Sequence, residues 1–190
     1  MKKVLVIGAS GSLAKVVTEE LMADRQIALT LFLRNKNRLN TMGNALVVTG
    51  NALNYSDVSN AMDGQDVVYV NLAGDLVAMT QIIVKAMKAN GVKRIIFISS
   101  IGIYGSPLKS VLRPYREGAD VIENSGLDYT VLRPAWFTND LEVDYEITKK
   151  GTPEKGSVIS RKSIAHFIHQ LIQNPDTHIG ESLGINTPNS

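Results

Sequence analysis

The chain has 190 residues and 20.7 kDa, is 44% hydrophobic and 20% charged. It is long enough for one domain with a sizeable core, too short for two full domains and too apolar for a disordered chain. Its formal charge of +2 gives no electrostatic reason for a nucleic-acid or anionic-membrane partner, and the lack of cysteine excludes disulfides, thiol nucleophiles and Cys-ligated metals.

Met1-Lys2-Lys3 and the apolar run behind it begin like a signal peptide, but the run stops at Gly8, too short for an h-region. No other apolar run approaches membrane-spanning length, so a cytoplasmic location is expected. Residues 4–7, continuous and apolar, predict a strand buried on both faces. From 12 to about 22, Leu13, Val17 and Leu21 recur every four residues and predict a helix. Residues 27–33 and 45–48 predict the second and third strands. A short helix follows Ser56, the expected N-cap. Residues 66–70 predict a fourth strand, and Met79, Ile82, Ile83 and Ala86 a long helix closing near Asn90-Gly91.

Residues 94–98 and 128–132 predict strands five and six. Between them run a loop over 101–113 and a helix with Pro114 in its first turn, where a missing N–H costs nothing. Tyr115, Ala119 and Ile122 form its apolar stripe. The last helix starts near Ser160 and carries Ile164, Ile168, Leu171 and Ile172; residues 181–185 add a late edge strand. No repeat or linker interrupts the alternation. The pattern predicts an α/β doubly wound parallel sheet with helices on both faces. It forms one domain over 1–190, with a short substrate-side segment in its C-terminal part.

The first strand runs straight into Gly8-Ala9-Ser10-Gly11-Ser12-Leu13-Ala14 and then into the helix. Gly8 permits the sharp turn, Gly11 lets a pyrophosphate approach the backbone, and Ala14 lets helix and strand pack closely. The N–H groups at the helix start supply donors and partial positive charge. Gly8, Ser10, Gly11, Ser12 and Leu13 are therefore candidate dinucleotide contacts.

With this loop, Asn71-Leu72-Ala73-Gly74, the run Ile98-Ser99-Ser100-Ile101-Gly102-Ile103-Tyr104-Gly105, and Ser125-Gly126-Leu127-Asp128-Tyr129-Thr130-Val131-Leu132-Arg133-Pro134, the chain resembles the atypical or extended short-chain dehydrogenase/reductase superfamily. The likeness is to its small, NmrA-like NAD(P)-binding branch and covers nearly the whole chain. Ser160-Arg161-Lys162-Ser163-Ile164-Ala165 resembles the segment opening the family's last helix, with Lys-Ser where an acid is frequent. The resemblance implies a Rossmann-type sheet with the cofactor across the C-terminal ends of its strands.

The second strand ends in Arg34, with Lys36 and Arg38 close behind, and no Asp or Glu stands between Arg25 and Asp57. A guanidinium forms paired hydrogen bonds to a 2′-phosphate, which an acid would repel, so NADP(H) is favoured over NAD(H). Lys36 and Arg38 have a plain alternative as solvated surface cations. By the resemblance Asn51, helped by the Ala52 backbone, bonds the adenine edge, and Leu72, Ala73 and Gly74 line the ribose side.

Superfamily members that turn over carbonyls usually carry Ser, Tyr and Lys, with Tyr-x-x-x-Lys on one helix. Ser100 matches the serine, follows Ser99 beside the cofactor, and is the candidate catalytic residue. Aligning the helix through Asp120 and Ser125-Gly126-Leu127 puts Arg116 at the lysine position and Leu112 at the tyrosine position. Carbonyl reduction of the usual kind is therefore disfavoured. Tyr115 reads as core packing, and Tyr104, by the resemblance, lines the substrate site without acting as the acid. A flavin or quinone needs no such acid, because solvent can deliver the proton after hydride transfer. By the same resemblance Pro134 and Ala135 wall the cofactor site, while Trp136 and Phe137 are candidates to stack on a flat acceptor. The rival reading is a non-catalytic NADP(H)-binding sensor or regulator. The expected partner is a small-molecule acceptor, the expected assembly a monomer or homodimer, and no metal is expected. His166 and His169 lack further ligands on their helix, and Asp140, Glu142, Asp144 and Glu146 read as a solvated loop or edge.

Overall fold

Strand β1 (Lys2–Ile7) alternates its side chains between two cores, which is why its sequence is continuously apolar. Val4 and Val6 face one core and Leu5 and Ile7 the other. The computed structural model describes residues 1–39 and 43–190. In chain order the elements are β1, α1 (Ser12–Met22), β2 (Ile27–Leu33), β3 (Leu46–Thr49), α2 (Tyr55–Met62), β4 (Val67–Val70), α3 (Leu76–Ala89) and β5 (Arg94–Ile98). Then come α4 (Arg113–Glu123), β6 (Asp128–Pro134), β7 (Trp136–Thr138), β8 (Glu146–Lys149), β9 (Val158–Ser160), α5 (Arg161–Gln173) and β10 (Glu181–Asn186). Two single turns of 3-10 helix, Lys36–Arg38 and Ser110–Leu112, interrupt the loops.

Eight strands form one sheet in the order β3-β2-β1-β4-β5-β6-β10-β8, parallel except for the β10–β8 pair. Helices α1 and α5 pack on one face around Leu13, Val17, Leu21, Ile164, Ile168 and Leu171. Helices α2, α3 and α4 cover the other around Val58, Met62, Ile83, Met87, Ala119 and Ile122. Each fully buried Leu, Ile or Met contributes roughly 1.5–3 kcal/mol. The doubly wound Rossmann-type sheet agrees with the sequence pattern. From β1 the chain adds β2 and β3 on one side, then crosses to β4 on the other. The loops after β1 and β4 therefore diverge and leave a crevice at the C-terminal ends of the strands.

Three details differ from the sequence reading. Helix α2 is capped by Asn54, whose Oδ1 accepts the Asp57 N–H at 3.1 Å; Ser56 lies inside the first turn. Residues 181–186 are not an edge: β10 pairs with β6 on one side and antiparallel with β8 on the other. The small β7–β9 ladder beside the main sheet has only three residues per strand, too few for a readable alternation.

Candidate functional site

The crevice is a cleft of about 1400 Å³ along the C-terminal ends of the parallel strands. Its centre is the turn from β1 into α1. Gly8 has φ +89°, and a Cβ there would stand 2.1 Å from the Asn71 carbonyl oxygen of the neighbouring β4 loop. Only glycine fits. Gly11 donates its N–H to Gly8 O at 3.0 Å, closing the turn, and serves as the N-cap of α1. Among the described residues no side chain caps α1, and no acid lies in its first turn. A Cβ on Gly11 would meet protein atoms only at ordinary contact distances, the nearest 3.4 Å away. The protein itself thus leaves room for a side chain at this position. The uncapped N–H groups and the bare backbone suit a diphosphate. Ser10, Gly11, Ser12 and Leu13 line the cleft here, and Ala14 is buried beneath.

One arm of the cleft runs over β2 and β3. Arg34 and Arg38 both line it, whereas Lys36 does not. Asn35 Oδ1 accepts the Asn37 N–H at 3.0 Å and holds the turn that brings the two arginines to one end. The acid among the described lining residues is Asp75, whose Oδ1 caps α3 through the Ala78 N–H at 3.2 Å. Asn51, Ala52 and Leu53 close this arm. The Asn51 N–H donates to Asp57 Oδ2 at 2.9 Å, and its amide oxygen accepts the Leu53 N–H at 3.1 Å. Its NH2 is then the group free for an adenine acceptor. Asn71, Leu72, Ala73 and Gly74 line the middle, with Gly74 at φ +108°.

The other arm lies over β5 and β6. Ser99, Ser100, Ile101 and Gly102 form its floor, and Pro134 and Ala135 its wall. The buried Ser99 hydroxyl donates to Tyr115 O at 3.1 Å, and Ser100 Oγ donates to Ile101 O at 3.2 Å. Trp136, 78% exposed, and Phe137 also line the cleft, as do Pro107, Lys109 and Val111. The Arg161 guanidinium lies 5.0 Å over the Phe137 ring and donates to Thr138 O.

Two candidates lie outside the cleft. Arg116, at the family's lysine position, is bound to Asp120 at 2.9 Å one helical turn on, and its guanidinium sits 4.7 Å over the Tyr104 ring. Tyr104 points its hydroxyl at the Glu123 carboxylate and at Ser182 Oγ, 2.9 Å away. Burial, then the hydrogen bond to Glu123, pushes the phenol well above its ordinary pKa. Both residues belong to a polar cluster beside the sheet, with Arg133 and Lys150 also stacked on the Tyr104 ring. Leu112 and Tyr115 of the same helical region do line the cleft. The i,i+4 spacing of Arg116 and Asp120 was the available signal that this arginine has a partner of its own. Asn71 entered only as the first residue of a motif and was given no role, and Pro107, Lys109 and Val111 were not singled out from sequence, because their loop carries no periodicity to place them.

The paired polar side chains noted earlier have other work. His169 Nε2 meets Asp24 Oδ2 at 2.9 Å, tying α5 to the end of α1. Glu146 contacts Lys155 and Asn186 along the β8 edge. Among the described residues no group of three or more His, Cys, Asp or Glu is placed to hold a metal, and no helix is long and apolar enough to cross a membrane.

Residues 8–175 match the protein-family model described as NAD(P)H-binding. A Rossmann-fold NAD(P)-binding family protein from Shigella flexneri is 44% identical and superposes with a TM-score of 0.92 over 100% of this chain and 95% of that one. Two others share the fold at lower identity. A short-chain dehydrogenase/reductase (wide type) from Veillonella parvula DSM 2008, in complex with NADP, is 24% identical with a TM-score of 0.88, covering 99% of this chain and 95% of that one. ChuY, an anaerobillin reductase from Escherichia coli O157:H7, is 19% identical with a TM-score of 0.87, covering 100% and 98%. With its glycine turn at the switch point of a doubly wound, Rossmann-type sheet, the chain belongs to the NAD(P)H-binding family.

Proposed function

We propose that the chain is an NADP(H)-dependent oxidoreductase that passes a hydride to a small planar acceptor such as a flavin or quinone. One observation carries the reading: a single cleft runs from the arginine pair Arg34 and Arg38, past the glycine turn, to the exposed Trp136 and Phe137. When bound, the nicotinamide supplies the hydride. The α1 N-terminus holds the diphosphate, Arg34 and Arg38 take the 2′-phosphate, and Asn51 with the Ala52 backbone takes the adenine edge. Leu72, Ala73, Gly74, Ser99, Ser100, Pro134 and Ala135 frame the ribose and nicotinamide. Trp136 and Phe137 orient the acceptor ring, and solvent at the open mouth delivers the proton. The Veillonella protein's NADP and the reductase activity named for ChuY are consistent with this assignment. The chain forms one domain over 1–190, with a short substrate-side segment in its C-terminal part.

A second reading, an NADP(H)-binding sensor or regulator of the NmrA type, is favoured by one feature. Leu112 faces the cleft where the superfamily's tyrosine would stand, and Arg116 is turned away to Asp120. Anaerobic mixing with NADPH and a panel of flavins, quinones and carbonyls separates the two. Loss of NADPH absorbance with a flavin or quinone supports the reductase; tight NADPH binding without turnover of any acceptor supports the sensor.

A further inference from the structure

Past β5 the loop that floors the acceptor arm is pinned to its neighbour one donor at a time. The Ser99 N–H donates to Leu132 O at 2.7 Å and the Ile101 N–H to Pro134 O at 3.0 Å. The Gly102 N–H instead donates to Glu154 Oε2 at 2.7 Å. The other oxygen of that carboxylate accepts from Arg133 Nη1. Arg133 is 1% exposed, immediately precedes Pro134 of the cleft wall, and also reaches the Thr148 carbonyl at 3.3 Å. Three residues beyond Glu154, the Ser157 carbonyl accepts the Trp136 N–H at 3.0 Å. One connector, residues 150–157, therefore holds both sides of the acceptor arm.

We propose that Glu154 is a positioning residue whose carboxylate clamps Gly102 to Arg133 and so sets the gap between the Gly102 loop and Trp136 in which the acceptor lies. That the acceptor lies there rests on the proposed function. The chemistry demands a carboxylate. Both partners are donors, and only an ionised carboxylate presents an acceptor to each. Glutamine offers one acceptor and one donor, and aspartate is a methylene shorter. Glu154 lies 52 residues from Gly102 in the chain, so no local pattern announces the contact.

Glu154→Met strands the buried Arg133 charge, whereas Arg133→Met/Glu154→Met removes both charges, a replacement often neutral for stability. In Glu154→Met the melting temperature falls and KM for a flavin or quinone rises by roughly fivefold or more, while NADPH Kd stays within about twofold. In the double variant the melting temperature recovers and KM stays high, because the Gly102 N–H still lacks its acceptor. Recovery of KM together with the melting temperature, or an unchanged KM in Glu154→Met, overturns the proposal. If the methionine variants do not fold, Glu154→Gln keeps the volume and one acceptor oxygen; a raised acceptor KM supports the clamp and an unchanged one refutes it. Trp136 is the sole tryptophan in the sequence, so energy transfer from it to saturating NADPH reads the gap without turnover. A wild-type protein that reduces no acceptor defeats the proposed function alone. Glu154 is then judged by whether Glu154→Gln changes that transfer efficiency, and an unchanged efficiency sinks the clamp.

Discussion

Gly8 and Gly11 stand three residues apart in one turn, yet alanine should have opposite consequences at the two. At Gly8 a non-glycine residue pays about 1–2 kcal/mol for the left-handed backbone. The new Cβ also falls 2.1 Å from the Asn71 carbonyl, an overpacking typically worth about 1–3 kcal/mol. The sum, about 2–5 kcal/mol, lowers Tm on the order of 4–20 °C for a chain of this size. At Gly11 φ is −67° and the new Cβ makes only ordinary contacts. Its poorer N-capping, about 0.5–1 kcal/mol, is offset by a similar loss of unfolded-chain entropy. Gly11→Ala should therefore melt close to wild type. Its methyl nevertheless stands where the diphosphate must approach. Moving one phosphate oxygen out of hydrogen-bond range of the amides forfeits a charge-assisted bond of about 1.5–3 kcal/mol, or roughly ten- to a hundredfold in affinity. Circular dichroism melting and NADPH fluorescence titration of both variants decide the matter. Wild-type NADPH affinity in a folded Gly11→Ala would show that the turn is only a turn; equal loss of Tm in the two variants would refute the steric reasoning.

Other outcomes follow from the same geometry. Arg34→Ala should remove most of the preference for NADPH over NADH, about tenfold because the side chain is exposed, as read by calorimetric titration of both cofactors. Tyr115→Phe should keep kcat within about tenfold, below the 10²–10⁴ of a general acid, while Trp136→Ala raises acceptor KM; steady-state kinetics with a flavin or quinone checks both. Hydrogen bonds from His169, the Gln26 N–H and Gln173 hold the Asp24 carboxyl down from its usual 3.8 to about 2. Between those values the unfolded chain takes up the proton and the folded one does not. Stability is thus lost as pH falls from about 4 towards 2, and Asp24→Asn should flatten that part of the Tm–pH curve.

The glycine-turn and arginine end of the cleft was legible because its residues stand close to one another in the chain. Gly8 to Ala14 form one turn between a strand and a helix, and Arg34 sits at a strand end. Segment breaks and residue types place both. Tyr104 and Arg116 were legible only as positions in a motif. Their direction is set by Glu123, Ser182 and Asp120, and of these only Asp120 is near enough to Arg116 in sequence to be noticed. Glu154 was invisible, since both groups it holds arrive from other strand ends. The acidic run after Trp136 was legible as a solvated loop or edge strand, and its last member, Glu146, opens the edge strand β8, but charge density masked Ile147 and Thr148 and so the strand's bounds.

The place of β10 has a bearing on biosynthesis. It lies between β6 and β8, so after β6 is made about 45 further residues must be translated before its free edge meets its partner. At ribosomal rates that is roughly 2–9 s. Throughout that interval β6 offers an unpaired ladder of amides and carbonyls flanked by the buried side chains Val131 and Leu132. Strand β8 is synthesised within the same window before its neighbour exists, because among the described residues its ladder in the finished sheet is to β10. A ribosome that pauses before residue 181 therefore holds out a sticky, half-closed sheet. Synonymous codon changes that slow translation over residues 150–180 would be expected to lower soluble yield while leaving the finished protein's stability untouched.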